Sequence, residues 1–252
     1  GLKQVKTEQG AQSIGALLSP HSTLEELYLA TQLLRSLGSD SVDSRLRHAE
    51  FSQSNGIRWL GTSIASLSNL QSALVVGSNV RKDHPLFAQR IRQSVRKGCA
   101  LNAINSVAYD WAMPVANAIT VAPAQWAKAL ADVAAAVAVE KSVTAPALGE
   151  ASDVAKRIAK SLLKGERKAI LLGNAAAHHA NASSLLALAN WIGQQTGATV
   201  GYLTEAANTV GAQLVGAQPA ADGKTAAQMI SGVKALILLN NEPEHDSAIQ
   251  AP

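Results

Sequence analysis

Three short segments of this 252-residue chain place glycine, asparagine or serine directly after a run of apolar, strand-forming residues. They are residues 75–79, 171–174 and 238–243. In parallel α/β sheets, ligands bind beyond the carboxyl ends of the strands, where the free N–H groups of helix amino termini attract anions. The candidate binding residues in and beside these segments are Gly77, Ser78, Asn79, Gly173, Asn174, Asn241, Glu242 and Asp246.

A structural role for the same segments is the alternative interpretation. A tight strand-to-helix turn needs glycine or asparagine whether or not a ligand binds. None of the three segments contains the Gly-X-Gly-X-X-Gly pattern of dinucleotide-binding proteins or a P-loop. Both interpretations stay open on the sequence alone.

Histidines lie near all three segments, at His84, at the pair His178 and His179, and at His245. A ring nitrogen there could bond a phosphate or cap a helix, and we include His84 among the candidate binding residues. Neither the histidines nor the single Cys99 has the spacing of a metal site, and no Gly-X-Ser-X-Gly elbow indicates a hydrolase. We therefore predict no metal site.

The excess of positive charge lies in the first part of the chain. Residues 1–110 hold 12 Lys or Arg against 8 Asp or Glu, and residues 111–252 hold 10 of each. The densest basic run, residues 90–97, ends at the carboxyl terminus of a predicted helix, where the helix dipole favours cations. No aromatic interleaving accompanies it, so nucleic acid is not an expected partner.

Strand-like and helix-like patterns alternate along the chain. The predicted strands cover residues 13–18, 57–60, 73–76, 99–104, 118–121, 168–172, 198–203 and 235–239. The predicted helices cover residues 23–37, 84–97, 126–139, 151–163, 181–195 and 225–231. Apolar strands between amphipathic helices predict parallel sheets covered on both faces. The expected fold class is α/β, with two doubly wound, Rossmann-like domains.

The expected domain boundary is near residue 145. The first 100 residues contain 8 alanines and the remaining 152 contain 39, and residues 140–149 combine Pro, Gly and small polar residues in the manner of a linker. The predicted domains are residues 1–145 and 146–252.

Neither a targeting peptide nor a membrane span is expected. The apolar runs are interrupted well short of the roughly 18 residues that a span needs. The chain starts at Gly1 without a methionine and stops soon after a strand-like run. We therefore expect a fragment of a longer parent chain.

Residues 73–79, followed by His84 and Pro85, resemble the glycine–asparagine turn of molybdopterin-dependent oxidoreductases of the formate dehydrogenase and DMSO reductase type. Residues 33–43 and 241–246 fit the same family. Taken with residues 17–26 and 173–181, nearly the whole chain most resembles the large iron–sulfur subunit of bacterial NADH–quinone oxidoreductase, respiratory complex I.

The resemblance implies a structural module that has lost its metal chemistry. Catalytic members carry a Cys, selenocysteine or Ser that ligates molybdenum, and Arg47 stands at that position here. A guanidinium is a permanent cation and cannot coordinate a metal. We therefore expect no catalytic residue and no cofactor in this fragment, a vestigial crevice at the three segments, and an Arg47 that pairs with Asp43 or Glu50 or reaches solvent.

The parent chain is expected to carry the iron–sulfur clusters and to work in electron transfer from NADH to quinone. Its implied partners are the other subunits of the respiratory complex, on the cytoplasmic side of the bacterial inner membrane and without direct membrane insertion. Two alternatives remain. One is a fragment of an active molybdopterin-dependent oxidoreductase, with the dinucleotide across Gly77, Gly173 and Asn241. The other is a free-standing binding protein for a nucleotide-like anion.

Overall fold

The computed structural model describes residues 1–51 and 56–248. The chain forms two compact units. Unit 1 comprises residues 1–57 together with 206–252, and unit 2 comprises residues 58–205. Unit 2 is therefore inserted in the sequence of unit 1.

The described residues contain eight strands, all paired in parallel. They are β1 (Ile14–Leu18), β2 (Val42–Asp43), β3 (Ser72–Val76), β4 (Ala100–Asn105), β5 (Asn117–Thr120), β6 (Lys168–Leu172), β7 (Thr199–Tyr202) and β8 (Ala235–Leu239).

The α-helices of the same residues are α1 (Leu2–Gln9), α2 (Leu24–Ser36), α3 (Val80–Asp83), α4 (Pro85–Arg96), α5 (Trp126–Lys141), α6 (Asp153–Leu162), α7 (Asn174–Ala177), α8 (Ala182–Thr196), α9 (Thr209–Leu214), α10 (Ala226–Gly232) and α11 (Pro243–Asp246). None of the described helices is long and apolar enough to cross a membrane.

Unit 2 is built on a five-stranded sheet with the order β5-β4-β3-β6-β7. Successive residues of β3 point to opposite faces. Leu74 and Val76 join a core formed with α5, α6 and α8, whereas Ala73 and Val75 join a second core that includes Ile91 of α4. Helices thus cover both faces, which is why β3 is apolar without alternation.

Unit 1 is built on a three-stranded sheet with the order β2-β1-β8. Leu18 of the central strand packs in a core with Leu27 of α2, and Leu17 packs on the other face with Met229 of α10. Thr23 caps the start of α2, and its side chain accepts a hydrogen bond from the N–H of Glu26. The predicted α/β class with parallel sheets is confirmed.

The structure divides the chain differently from the predicted boundary near residue 145. Strand β3, before that boundary, pairs along its whole length with β6, after it, so residues 1–145 and 146–252 share one sheet. Strand β1 pairs instead with β8. The linker-like composition of residues 140–149 marks the connection from α5 to α6 inside unit 2.

The strand predicted at residues 57–60 does not form. Those residues have no regular secondary structure, although the Trp59 carbonyl accepts a hydrogen bond from the N–H of Tyr202 in β7. The other predicted strands of unit 2 begin and end within one residue of the observed limits.

Candidate functional site

The topological switch point of unit 2 lies between β3 and β6. From β3 the chain builds outward through β4 to β5, then returns to β6 beside β3 and continues to β7. In open α/β sheets a binding crevice lies at such a reversal. Val76 is in register with Leu172, so the turns that begin at Gly77 and Gly173 are neighbours.

The space beside these two glycines is filled by the protein itself. Gly77 has φ +65°, and a Cβ atom added there would lie 2.8 Å from the Trp126 ring and 2.7 Å from the nitrogen of Ala176. A Cβ atom on Gly173 would lie 2.5 Å from the Gly77 carbonyl oxygen. The N–H of Ala175 also donates to that carbonyl, at 3.1 Å. The glycines therefore let two turns pack on each other, which favours their structural interpretation.

The polar groups of Ser78 and Asn79 are engaged by Asp83. The Ser78 hydroxyl and the Asn79 N–H both donate to Asp83 Oδ2, at 3.0 and 2.9 Å. The N–H of Ser78 donates to Asn105 Oδ1, at 3.0 Å, at the end of β4. A carboxylate of the chain thus caps the start of α3, where the sequence suggested an anionic ligand.

His84 joins the start of α4 to the segment after β7. Its Nε2 lies 2.8 Å from the carbonyl oxygen of Thr204 and must donate, since a carbonyl can only accept. The ring stacks on Phe87 with 5.7 Å between the centroids. His84 therefore links two loops of the carboxyl edge of the sheet.

The buried polar atoms at this edge without a hydrogen-bond partner among residues 1–51 and 56–248 include Asn174 Oδ1, Trp126 Nε1 and His84 Nδ1. The Trp126 ring stacks on His179, whose Nε2 lies 3.0 Å from the carbonyl of Pro123. These atoms could bond a small polar group.

In unit 1, asparagine side chains close the end of β8. Asn240 has φ +54° and donates from Nδ2 to the Ser22 hydroxyl, at 3.0 Å. Asn241 donates from Nδ2 to the carbonyls of Leu17 and Leu239, at 2.7 and 2.9 Å. The amide group of Asn241, a candidate for ligand binding, thus ties β8 to β1, and that of Asn240 ties β8 to the turn that follows β1.

Asp246 repeats in unit 1 the arrangement of Asp83. Its Oδ2 accepts the N–H of Glu242, at 3.0 Å, at the start of α11. Its Oδ1 accepts from Arg47 Nη2, at 3.1 Å. These groups, the Glu242 N–H foremost, hold the pKa of Asp246 below its usual value, against an opposing effect of burial. Sequence reasoning named Asp246 as a ligand-binding residue, and the structure shows it bonded to its own turn and to Arg47.

Arg47 pairs with a carboxylate that the sequence did not suggest for it. This partner is Asp246, and 58% of the Arg47 side chain is exposed, so the expectation that it reaches solvent is met. Asp43 is committed to Arg45 instead, which makes it a poor partner for Arg47. Asp43 was one of two carboxylates suggested for Arg47, and that pairing does not form because the nearer arginine, Arg45, binds Asp43.

Asp43 and Arg45 form a buried ion pair that the sequence analysis missed. Arg45 donates from Nε and Nη2 to the two oxygens of Asp43, at 2.8 and 3.0 Å. The Asp43 side chain is fully buried and also accepts the N–H of Ala226, at 2.9 Å. The pair thereby fastens β2 to the start of α10. The available signal was the spacing of Asp43 and Arg45, which are two residues apart.

The observed contacts do not fit the molybdopterin dinucleotide that the resemblance implies for catalytic members. A phosphate needs N–H donors or cations, and one donor at each of two helix starts, the N–H of Asn79 or of Glu242, is already bonded to Asp83 or Asp246. The room beside Gly77 is filled by Trp126. A phosphate at either helix start would face a carboxylate of the chain.

Known proteins resemble the chain only in part. A protein of Staphylococcus haemolyticus provisionally named formate dehydrogenase is 29% identical over 99 residues, which are 36% of this chain and 10% of that protein. The chain thus spans about a tenth of the length of this curated relative. The formyltransferase/hydrolase complex of Methylorubrum extorquens, solved with methylofuran, aligns with a TM-score of 0.48 and 15% identity, over 76% of this chain and 53% of that one.

A family model covers almost the whole sequence. The model is that of the molybdopterin oxidoreductases, and it matches residues 1–251. The match includes both units and every turn described above. The chain belongs to the molybdopterin oxidoreductase family.

Proposed function

We propose that this chain is a structural module of the large iron–sulfur subunit of a bacterial NADH–quinone oxidoreductase. In this proposal the parent subunit transfers electrons from NADH toward quinone through its iron–sulfur clusters. The module is not itself catalytic. Its partners are the other subunits of the complex, and it lies on the cytoplasmic side of the inner membrane.

The internal caps at Asp83 and Asp246 are the observation that carries the structural role. In unit 2, Asp83 accepts the backbone N–H of Asn79 at the start of α3, which follows the central strand β3. In unit 1, Asp246 accepts the backbone N–H of Glu242 at the start of α11, which follows β8. An anionic cofactor would have to displace that carboxylate and would meet its charge. In two of the three segments that the sequence offered as binding loops, 75–79 and 238–243, one backbone N–H is therefore already bonded to a carboxylate of the chain.

Arg47 supports the absence of metal chemistry. A molybdenum ligand must be a neutral or anionic donor atom, whereas the guanidinium of Arg47 carries five N–H donors and a permanent charge. Here one of those donors bonds Asp246, and most of the side chain is exposed. No reaction step is assigned to any residue of this chain.

Cofactor analysis tests the structural role. The chain is produced in a bacterium that makes molybdopterin dinucleotides, purified, and assayed for molybdenum and for the fluorescence of oxidised, acid-released pterin. A known molybdoenzyme purified from the same host is the control. We expect both signals to stay at background. Near-stoichiometric molybdenum or pterin in the chain would refute the structural role.

An active molybdopterin-dependent oxidoreductase, such as a formate dehydrogenase, is the second candidate. The identity of 29% over 99 residues to a protein provisionally named formate dehydrogenase favours it. In that case the dinucleotide lies across Gly77, Gly173 and Asn241, and the same cofactor analysis gives a positive result.

Membership of the respiratory complex needs its own experiment. The complex is isolated from the source organism through a tag on another subunit, and its components are identified by mass spectrometry. We expect peptides of this chain in amounts comparable to the other subunits. Their absence from a complex that oxidises NADH would refute the subunit assignment and leave the cofactor result unaffected.

A further inference from the structure

A basic cavity lies at the amino edge of the five-stranded sheet, on the opposite side from the Gly77 and Gly173 turns. Its volume is about 410 Å³. The lining residues that matter are Gln71, Asn117, Arg157, Lys160, Ser161 and Lys164. Gln71 directly precedes β3 and Asn117 begins β5, whereas the cations come from α6 and the turn after it.

Three cations and no carboxylate line this cavity in the part of the chain that the structure describes. Lys160 lies 3.7 Å from Glu140, at a distance that neutralises it only partly. Lys164 has no ion pair or side-chain hydrogen bond within residues 1–51 and 56–248. Three like charges around one concave surface repel each other and raise the local concentration of anions.

Arg157 is held in place by a network that reaches the core. Its Nε donates to Asn117 Oδ1, at 2.9 Å, and Asn117 donates from Nδ2 to Asn102 Oδ1, at 2.8 Å. Asn102 is fully buried and donates to the Ser161 hydroxyl, at 2.8 Å. The terminal nitrogens of Arg157 make no hydrogen bond to another described residue. Its fork is therefore fixed in orientation while two nitrogens remain available to an acceptor.

The turn that carries Lys164 is fixed as well. Gln71 Oε1 accepts the N–H groups of Glu166 and Arg167, at 2.8 and 3.1 Å. Gly165 has φ +76°, and a Cβ atom there would lie 2.8 Å from the Gln71 side chain. This close contact fixes the backbone that carries Lys164 at the rim of the cavity.

We infer that this cavity binds a small polyanion that carries at least two carboxylate or phosphate groups. Its volume falls in the range of about 300–1,000 Å³ typical of small-molecule sites. The oriented Arg157 fork receives one anionic group, and Lys160 and Lys164 neutralise the other. The site is independent of the proposed function, since it shares no residue with the turns at the carboxyl edge.

Isothermal titration calorimetry with citrate and with pyrophosphate tests the site on the purified chain. Citrate offers only carboxylates and pyrophosphate only phosphate oxygens, so the two probes separate the ligand chemistries. We expect one of them to bind with one-to-one stoichiometry. The absence of binding by both probes at low salt would overturn the inference.

Four variants locate the binding. Arg157→Gln and Lys164→Gln each remove one cation from the cavity, and each is expected to weaken binding about tenfold, the usual effect of losing one charge-assisted hydrogen bond. Asn117→Ala leaves all charges in place but frees Arg157, and we expect an intermediate loss. Lys156→Gln is the matched control, because Lys156 lies on the same helix, pairs with Asp153 and is not among the cavity-lining residues.

Equal losses in Lys156→Gln and Lys164→Gln would show general attraction to a basic surface, and they would refute a defined site. Thermal melts of each variant check folding. If Arg157→Gln does not fold, Lys164→Gln decides alone, because Lys164 is exposed and outside the hydrogen-bond network.

Discussion

The two units close the ends of their strands by different means. In unit 2, Gly77 and Gly173 let two turns pack against each other and against Trp126, so backbone and ring atoms fill the switch point. In unit 1, side-chain hydrogen bonds of Asn241 tie β8 to β1, and those of the buried Asp43 tie the end of β2 to the start of α10. The comparison indicates that the carboxyl edge of unit 2 is sensitive to added volume, whereas that of unit 1 is sensitive to the loss of polar groups.

The largest effect is expected from Asp43→Asn in unit 1. The change leaves the Arg45 guanidinium without its anionic partner in a buried position, which typically costs about 3–5 kcal/mol in the free energy of unfolding. Urea denaturation followed by circular dichroism measures it. Asp222→Asn is the control, because Asp222 is exposed and makes no described side-chain contact. A decrease in the free energy of unfolding below about 1 kcal/mol would contradict the expected sensitivity of unit 1 to the loss of polar groups.

Gly77→Ala tests whether the carboxyl edge of unit 2 is sensitive to added volume. Its methyl group must overlap Trp126 and Ala176 and hold a positive φ, so we expect a loss of about 2–4 kcal/mol. Gly98→Ala is the matched control. Gly98 also has a positive φ, +95°, but nothing lies within 4 Å of an added Cβ. Denaturation midpoints of the two variants separate overlap from backbone strain, and equal losses would show that strain alone acts.

The internal caps are expected to matter equally in both units. Asp83→Ala and Asp246→Ala each remove the acceptor at the start of a short helix, and each should cost about 1 kcal/mol. Asp83→Asn keeps an acceptor oxygen and should cost less. Thermal melts of these variants beside Asp222→Ala give the comparison. If removing the carboxylate left stability unchanged in one unit, Asp83 and Asp246 would not stabilise their units in the same way.

The smallest effect is a pH dependence at Asp246. Folding holds its pKa below the ordinary value of 3.8, so the carboxylate stabilises the native state above that pH. The contribution is lost as the pH falls through the lower, native pKa. We therefore expect the difference in stability between the wild type and Asp246→Asn to shrink below pH 3.8 in acid titrations. A difference that stays constant throughout the acid titration would contradict the lowered pKa.

Asp110 offers the same test in unit 2. Its pKa is also lowered, first by the N–H of Ala112 and then by Arg81. Asp110→Asn should show the same direction of pH dependence. The Arg81→Gln variant separates the ion pair from the backbone hydrogen bond.

The sequence predicted the ends of β3, β6 and β8 well because each of these strands is a short apolar run that stops at Gly or Asn. It placed β8 at residues 235–239, where the structure has it, and put Gly77 and Gly173 at corresponding turns. The caps were within reach too, since Asp83 and Asp246 each follow the residue that they cap by four positions. A carboxylate at that spacing competes with any ligand for the same N–H.

Partners distant along the chain could not be predicted in the same way. Local composition suggested a boundary near residue 145, but β6 returns to β3, and no local pattern encodes which strand a returning segment will join. Arg47 was matched with acids near it in sequence, whereas Asp246, with which it pairs, lies almost at the other end of the chain. Pairings between residues that are distant along the chain depend on the topology of the fold.

The order β2-β1-β8 also determines when unit 1 can form during protein synthesis. Ile14 of the central strand β1 cannot pair until Ala235 of β8 has been synthesised. One edge of β1 therefore stays unpaired while most of the chain is made. Unit 2, a continuous segment, can complete its five-stranded sheet in that interval. Because an exposed strand edge invites pairing with other chains, we expect unit 1 to be the part of the nascent protein that depends on chaperones.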